Sequence, residues 1–468
     1  MRNRQFTIFA ALVLGVLLLG VFRAGAQPQS AQDKKPAPAK AEQDDGPVAV
    51  TPRVNRDKPP EVRPLGKDEF GNFRYPVINN KGDVAFVALY IAEGTPNNSG
   101  QSVFLRKADG TWQVTREGEK ATNLPEPVFG FSLPALNDNG ELTFYAGFGK
   151  APGSSTMPAE STPDALGNVD RAPRYGALYL KSAEGLKSLV KLGEEVPAMP
   201  SHFSGVANAT TNSKGVTAFI GTYSDPDGRG LFLVEGGKLR LVVRSGQRIG
   251  NNEEGTFSEH FYPSPINERN EVAFMQRIGD RSAIFVARPT GVELVAIVGK
   301  PSPIPGSNFI GFGNRAPSLN NKGEVVFSGF TDGPSAVRAL FFKGTGPVQV
   351  VAKSGDEIGK TGLIFTDFLS PAMNSRGDIA FIGKLGGRMQ GVFLKTAKGI
   401  ETVALVDEKI PGAKSPMETF NQFTQPSINE RGEIVFYGQI RTSEVAIFHR
   451  DEKGVLRVLV KRGDKLPK

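Results

Sequence analysis

The sequence predicts an all-β chain folded as a seven-bladed β-propeller of four-stranded antiparallel blades, behind an N-terminal signal peptide and a disordered linker. Three observations carry the prediction. A phrase of eight residues recurs seven times: "NNKGDVAF", "NDNGELTF", "NSKGVTAF", "NERNEVAF", "NNKGEVVF", "NSRGDIAF" and "NERGEIVF". Each copy sits within the same succession of four strand-like segments. No helical period of apolar residues runs anywhere in the repeats.

The leading asparagines are Asn79, Asn137, Asn212, Asn267, Asn320, Asn374 and Asn429, so the spacings are 58, 75, 55, 53, 54 and 55 residues. A period near 55 marks repeated supersecondary units. The long interval holds a polar, Pro/Ser-rich insertion over about 149–174, as expected where one loop of one unit is extended.

Within the phrase, N-x-x-G has the chemistry of a type I turn. Asparagine bonds the backbone two residues on, and glycine accepts positive φ. The structural turns are therefore Asn79 with Gly82, Asn137 with Gly140, Asn212 with Gly215, Asn267 with Asn270, Asn320 with Gly323, Asn374 with Gly377, and Asn429 with Gly432. Asn270 is the one non-glycine, and asparagine tolerates the left-handed region best among the alternatives.

After the turn, pairs such as Val84 and Phe86 or Ile379 and Phe381 have the period of a strand with one apolar face. Before it, "FGNFRYPVIN" and "FTDFLSPAMN" form a second strand whose proline implies a strand end or bulge. A short apolar strand such as "SVFLRK" or "GVFLKT" follows, then a glycine turn, then a fourth strand such as "PVQVVAKSGDEI". Four strands per unit, seven times over, read as propeller blades. An open β-solenoid is the alternative, but it stacks short coils and needs distinct capping ends. The 32 phenylalanines against one tryptophan suit broad interfaces between blades.

Composition and the N-terminus place the protein. Hydrophobic residues at 39% and charged residues at 22% allow a buried core through the repeats. Arg2 and Arg4, an apolar run from Phe6 to Phe22, and Ala24-Gly25-Ala26 form a secretory signal over 1–26. An uncleaved anchor is the other reading, since the apolar run is near the lower limit for a span. Residues 27–65, rich in Pro, Ala and Lys, read as a disordered linker, and 66–468 as the propeller. The expected location is the periplasm or the medium of a bacterium, with no membrane span after cleavage.

The chain has no cysteine, hence neither disulfides nor a lipobox. Its formal charge of +8 falls to +5 when Arg2, Arg4 and Arg23 leave with the signal. The remaining basic residues are scattered, so no nucleic-acid partner is expected.

The repeats resemble a bacterial group of exported tandem-repeat proteins named for the motif NxxGxxAF. Asn79, Gly82, Ala85 and Phe86 match it fully, as do Asn212, Gly215, Ala218 and Phe219, and Asn374, Gly377, Ala380 and Phe381. The other copies depart at Thr143, Asn270, Val326 and Val435. The resemblance covers nearly everything after residue 66 and implies export; no shared catalytic activity is established for that group. That group often carries a C-terminal surface anchor; here the sequence ends in "KRGDKLPK", so attachment by that route is not expected.

The turns after strands one and three are short and uniform, whereas those after strands two and four are long and varied. Function concentrates in loops on a rigid scaffold, so the varied rim is the expected binding surface. Its candidates are Asp225, Asp227, Arg229 and His260 for binding. His260, Glu259 and His202 are the weak candidates for acid–base chemistry. His449 lies in a third strand, where packing is the expectation.

"DPDG" from Asp225 resembles the start of a calcium loop but lacks the later ligands, so no metal is expected. "GFGNR" lacks a strand-to-helix setting, so no dinucleotide or other cofactor is expected. "KSGDEI" and its relatives recur once per unit and read as turn chemistry. The function expected is a non-enzymatic, monomeric binding scaffold for a protein, peptide or glycan. The alternative is a propeller hydrolase or lyase acting on extracellular polysaccharide, which needs carboxylates or histidines converging at one mouth of the channel.

Overall fold

The computed structural model describes residues 65–91, 99–148, 176–224, 227–249, 255–313, 315–387 and 389–467. The expected signal peptide, nearly all of the linker, the insertion and Asp225 lie outside the described residues. Those described belong to one compact unit, Lys58–Lys468. Among them there is no helix, and so none long and apolar enough to cross a membrane.

The strands form seven antiparallel sheets, each a meander of four consecutive strands, spanning 70–116, 124–191, 202–244, 262–297, 309–353, 365–405 and 420–461. These are the blades of a β-propeller, numbered 1 to 7. First strands of neighbouring blades bond one another: the Ile78 N–H donates to Ser427 Oγ (3.3 Å), Ile266 to Thr210 Oγ1 (3.0 Å) and Met373 to Ser318 Oγ (3.0 Å). Fourth strands such as Gly399–Leu405 present much of their length to solvent. The first strand is therefore innermost and the fourth outermost.

Seven hydrophobic clusters hold the ring, one between each pair of neighbouring blades, including blade 7 against blade 1. This corrects the expectation that the second strand carries one apolar pair. Val84, Ala85, Phe86 and Val87 are all buried, because a blade sandwiched between two others has no solvent face near the axis.

The phenylalanine of the phrase stacks on the aromatic directly opposite in the third strand, as Phe86 on Phe104 (5.7 Å) and Phe436 on Phe448 (5.4 Å). A phenylalanine of the first strand closes the group edge-on, as Phe70 against Phe104 at 4.9 Å. The space for it comes from a glycine on the second strand. A Cβ at Gly383 would stand 2.5 Å from Phe365 and 2.7 Å from Phe393.

Connections from one blade to the next make a small repeated hairpin, in which the Gly355 N–H donates to the Phe365 carbonyl (2.9 Å). At the seam the same hairpin forms between chain ends. Gly463 N–H donates to Phe70 O (2.8 Å), Phe70 N–H to Asp464 O (2.9 Å) and Leu466 N–H to Asp68 O (2.9 Å), with Lys465 paired to Glu69 at 3.2 Å. The ring thus closes without exchanging a strand between blades.

Candidate binding mouth of the axial channel

The two mouths of the channel are built from opposite ends of the seven innermost strands. One end carries the N-x-x-G turns. Each asparagine carbonyl accepts from the N–H three residues on, and Gly82 and Asn270 lie at φ 86° and 61°. The side-chain oxygen of Asn79 accepts from the N–H groups of Lys81 (3.1 Å) and Asp83 (2.9 Å).

Its amide donates to the Asp83 carboxylate (3.1 Å) and to the Asn137 carbonyl in blade 2 (3.0 Å). That last bond repeats from Asn137 to Asn212, Asn267, Asn320, Asn374, Asn429 and back to Asn79, at 2.9–3.2 Å. Seven buried asparagines form a closed ring with each side chain fully bonded. Asparagine is needed because aspartate fills the acceptor role but has no N–H for the next blade.

Blade 3 has Val216 where the other six carry Asp or Glu, so Asn212 lacks a carboxylate. The Asn270 side chain supplies the missing acceptor from blade 4 (2.7 Å). The two irregular copies complete one another.

The opposite end of the innermost strands is bulged. The register slips between Phe70 and Asn72, and again at 129/131, 203/205, 309/311, 365/367 and 420/422. The bulge turns the flanking residues into the blade core, as Phe365 with Phe368 or Phe420 with Phe423, and leaves the residues between them at the edge. Blade 4 places three residues there, Ser258, Glu259 and His260, between buried Phe257 and Phe261.

Both faces of an innermost strand are covered by neighbouring blades. An exposed side chain on it can therefore only enter the channel or its mouth. Exposed at this end are Asn72, Ser204, Glu259, His260, Ile310, Thr366, Asn421 and Gln422, with Asn208 and Gln425 deeper along the strands. Asp367 is the exception. It is buried between Arg338 (3.0 Å) and Lys384 (3.3 Å) and ties blade 5 to blade 6. At the seam a cleft of about 300 Å³ opens beside Asn72, lined also by Tyr90, Ser443 and Arg462.

All the described candidates from the sequence fall on the bulged rim of blades 3 and 4. His202 opens the first strand of blade 3, exposed and opposite Ser224; Asp227 and Arg229 sit at the start of its third strand. Glu259 and His260 lie at the mouth itself. No hydrogen bond or ion pair joins His202, Asp227, Glu259 and His260 to one another. Among the described residues no group of three His, Asp or Glu is placed to hold a metal ion.

His449, expected to pack, is half-buried where Leu105, Leu180, Leu233 and Leu394 stand in other blades, 3.6 Å from Glu433. Burial holds its pKa below the ordinary imidazole value, with Glu433 and Asp451 acting against that.

The residues missed at the sequence level are plain amides and hydroxyls. Among the described residues Ser204, Asn208, Asn421, Gln422 and Gln425 carry no side-chain hydrogen bond, and nothing in their type marks them. The signal available was that Asn421 and Gln422 fall between the phenylalanines of "FNQF", where other copies carry different pairs, as Gly71-Asn72, Ile310-Gly311 and Thr366-Asp367.

No curated protein matches the sequence. Among solved structures the chain is similar to Pyrococcus horikoshii acylaminoacyl peptidase, at 9% identity and TM-score 0.48 over 84% of this chain and 52% of that one. It is similar also to a puromycin-hydrolyzing peptidase of Mycobacterium tuberculosis (13%, 0.48, 85% and 54%) and to the six-bladed propeller of Aleuria aurantia lectin (7%, 0.36, 86% and 99%). The chain spans about half the length of the two peptidases. Likenesses this distant assign neither an activity nor a ligand. One family, by contrast, matches three overlapping stretches, 53–282, 224–389 and 276–467, that together cover the whole ring: the chain belongs to the family of unknown function DUF7453.

Proposed function

We propose that this protein is an exported, non-enzymatic binding module that takes a glycan at the bulged mouth of its channel. The observation that carries the reading is the set of unspent polar side chains on the innermost strands: Ser204, Asn208, Asn421, Gln422 and Gln425. Amides both donate and accept, which suits the hydroxyls of a sugar. The strands that hold them are packed between neighbouring blades, which limits the backbone ordering that binding would require.

The same reading takes residues 1–26 as a cleaved signal and 27–65 as a linker, with the propeller acting as a monomer in the periplasm or outside the cell. It also takes the repeats as the NxxGxxAF type. The hydrolase alternative has less support, because Glu259 and His260 have no partner carboxylate or histidine bonded to them.

The test is a glycan and peptide array probed with the chain from Gln27 onward, in wild-type form and as Asn421→Ala/Gln422→Ala. Saccharide binding that the double variant weakens at least tenfold is the expected result. Binding confined to peptides, or saccharide binding indifferent to the variant, overturns the reading. Cleavage of a bound saccharide would restore the enzyme.

A further inference from the structure

Along the innermost strands two guanidinium groups have no hydrogen-bond or ion-pair partner among the described residues. Arg74 in blade 1 and Arg315 in blade 5 each stand five residues before the ring asparagine, at one register position. The same position holds Ser132, Ala207, Tyr262, Leu369 and Thr424 in the other blades. Ser132 and Thr424 spend their hydroxyls on backbone carbonyls, and Tyr262 and Leu369 pack into the clusters between blades. Arginine is thus not demanded by the repeat. Both are half-buried, and neither side chain makes a hydrogen bond or ion pair among the described residues.

The contrast with other cations is sharp. Arg288 binds Glu271 (2.7 Å) and Glu293 (2.8 Å), and Arg338 binds Asp367 (3.0 Å). A cation half-withdrawn from water without a counter-charge is unfavourable, and the guanidinium fork is suited to a carboxylate or sulfate. The charge of Arg74 is felt at the Tyr437 phenol of blade 7, and that hydroxyl donates to Asn72 Oδ1 at 3.5 Å.

We propose that the axial channel binds an acidic oligosaccharide, a carboxylate or sulfate of which is held by Arg74 at the seam, with Arg315 offering a second such contact from blade 5. This rests on the glycan reading above and narrows it to the anionic class. A saccharide is favoured over an acidic peptide because Gln425 of blade 7, the blade next to Arg74, offers an exposed amide one register position on from that of the arginines.

The experiment compares fragments of oligogalacturonate, oligomannuronate and hyaluronate with the same fragments after their carboxylates are reduced to alcohols, by calorimetry. At least one acidic fragment is expected to bind ten-fold or more tighter than its reduced form. Arg74→Met/Arg315→Met is expected to erase that difference while unfolding at an unchanged or higher temperature. Lys81→Met/Lys322→Met, which removes two exposed cations at the other mouth, is expected to keep it.

Equal binding of acidic and reduced forms overturns the proposal, as does indifference to the arginine variant, or no binding of any acidic fragment. Tighter binding of hexaglutamate than of every saccharide overturns the choice of a sugar. Neutral saccharides bound through Asn421 and Gln422, with no effect of the arginines, would sink this proposal alone and leave the glycan reading standing.

Discussion

Asn320 and Asn421 are the same residue on innermost strands two blades apart, and the ring treats them oppositely. Asn320, at one mouth, accepts from the N–H groups of Lys322 and Glu324 and donates to the Glu324 carboxylate (2.7 Å) and the Asn374 carbonyl (3.2 Å). Asn421, at the other, is exposed, and its side chain makes no hydrogen bond among the described residues. One mouth repeats in all seven blades with its polar groups consumed by closure of the ring. The other differs from blade to blade and leaves several of its polar groups, Ser204, Asn421 and Gln422 among them, without a side-chain bond among the described residues. Residue type therefore says little about role in a repeat protein; what the next copy does with the same position says much.

The largest effect should come from breaking the consumed mouth. Asn320→Asp keeps both accepted bonds, loses both donated ones and sets a second carboxylate against Glu324. A cost of about 3 kcal/mol is expected from the lost bonds and the unpaired Asn374 carbonyl, read as a lower urea midpoint. Asn421→Asp should shift that midpoint by less than about 0.5 kcal/mol. Equal effects of the two substitutions would erase the distinction between the mouths.

Next in size is the backbone closure at the bulged rim. Removing residues 463–468 deletes the bonds among Gly463, Asp464, Leu466, Asp68 and Phe70 and the Lys465–Glu69 pair. The exposed ion pair contributes little. The backbone bonds contribute about 1 kcal/mol each, so a loss near 2–3 kcal/mol in thermal or urea unfolding is expected.

The repeat count, the four strands per blade and the turn at each asparagine are legible in the sequence because they rest on local chemistry. Turn residues, apolar alternation and the left-handed tolerance of Asn270 all act within a few residues. The inter-blade bond of each asparagine is not legible in that way, since its acceptor lies 53 to 75 residues further along, or at the other end of the chain for Asn429. A hint was present nonetheless. An Asx turn accepts aspartate as readily, yet all seven copies use asparagine. The bulges that turn Phe365 and Phe368 to one core were also hidden, because a one-residue slip leaves no mark beyond the spacing of the phenylalanines. The candidate site was sought among histidines and carboxylates, which are chemically distinctive. The innermost strands instead expose Ser204, Asn421 and Gln422, whose meaning comes only from their place in the ring.

The paired irregularities sharpen the closure mechanism. Asn270→Gly relaxes a strained backbone position but strips Asn212 of its second acceptor; it should cost about 1 kcal/mol in chemical denaturation. Adding Val216→Glu rebuilds the pattern used by the other blades. The double variant should recover most of that loss, giving a coupling of about 1 kcal/mol in the cycle. Strict additivity would mean that the two exceptions are unrelated.

The smallest effect expected is a pH dependence at the seam. His449 stands at a position that is apolar in the other six blades, and its ring faces Glu433 and Asp451 on its own blade. Arg457 also lies on that blade, and Arg106 faces it across the seam from blade 1. Burial depresses its pKa in the folded state, so the unfolded chain takes the proton first. Its contribution is complete above about pH 6.5, the ordinary imidazole value, and is lost as the pH falls from there through the folded-state pKa. His449→Leu, the side chain used at this place by blades 1, 2, 3 and 6, should flatten stability over that window while leaving it nearly unchanged at pH 8. Urea midpoints measured from pH 8 to pH 5 decide it. A wild-type curve that stays parallel to the variant's would show that the imidazole is not burdened by its burial. It would also leave the seam between the first and last blades no different from the other six junctions in its response to acid.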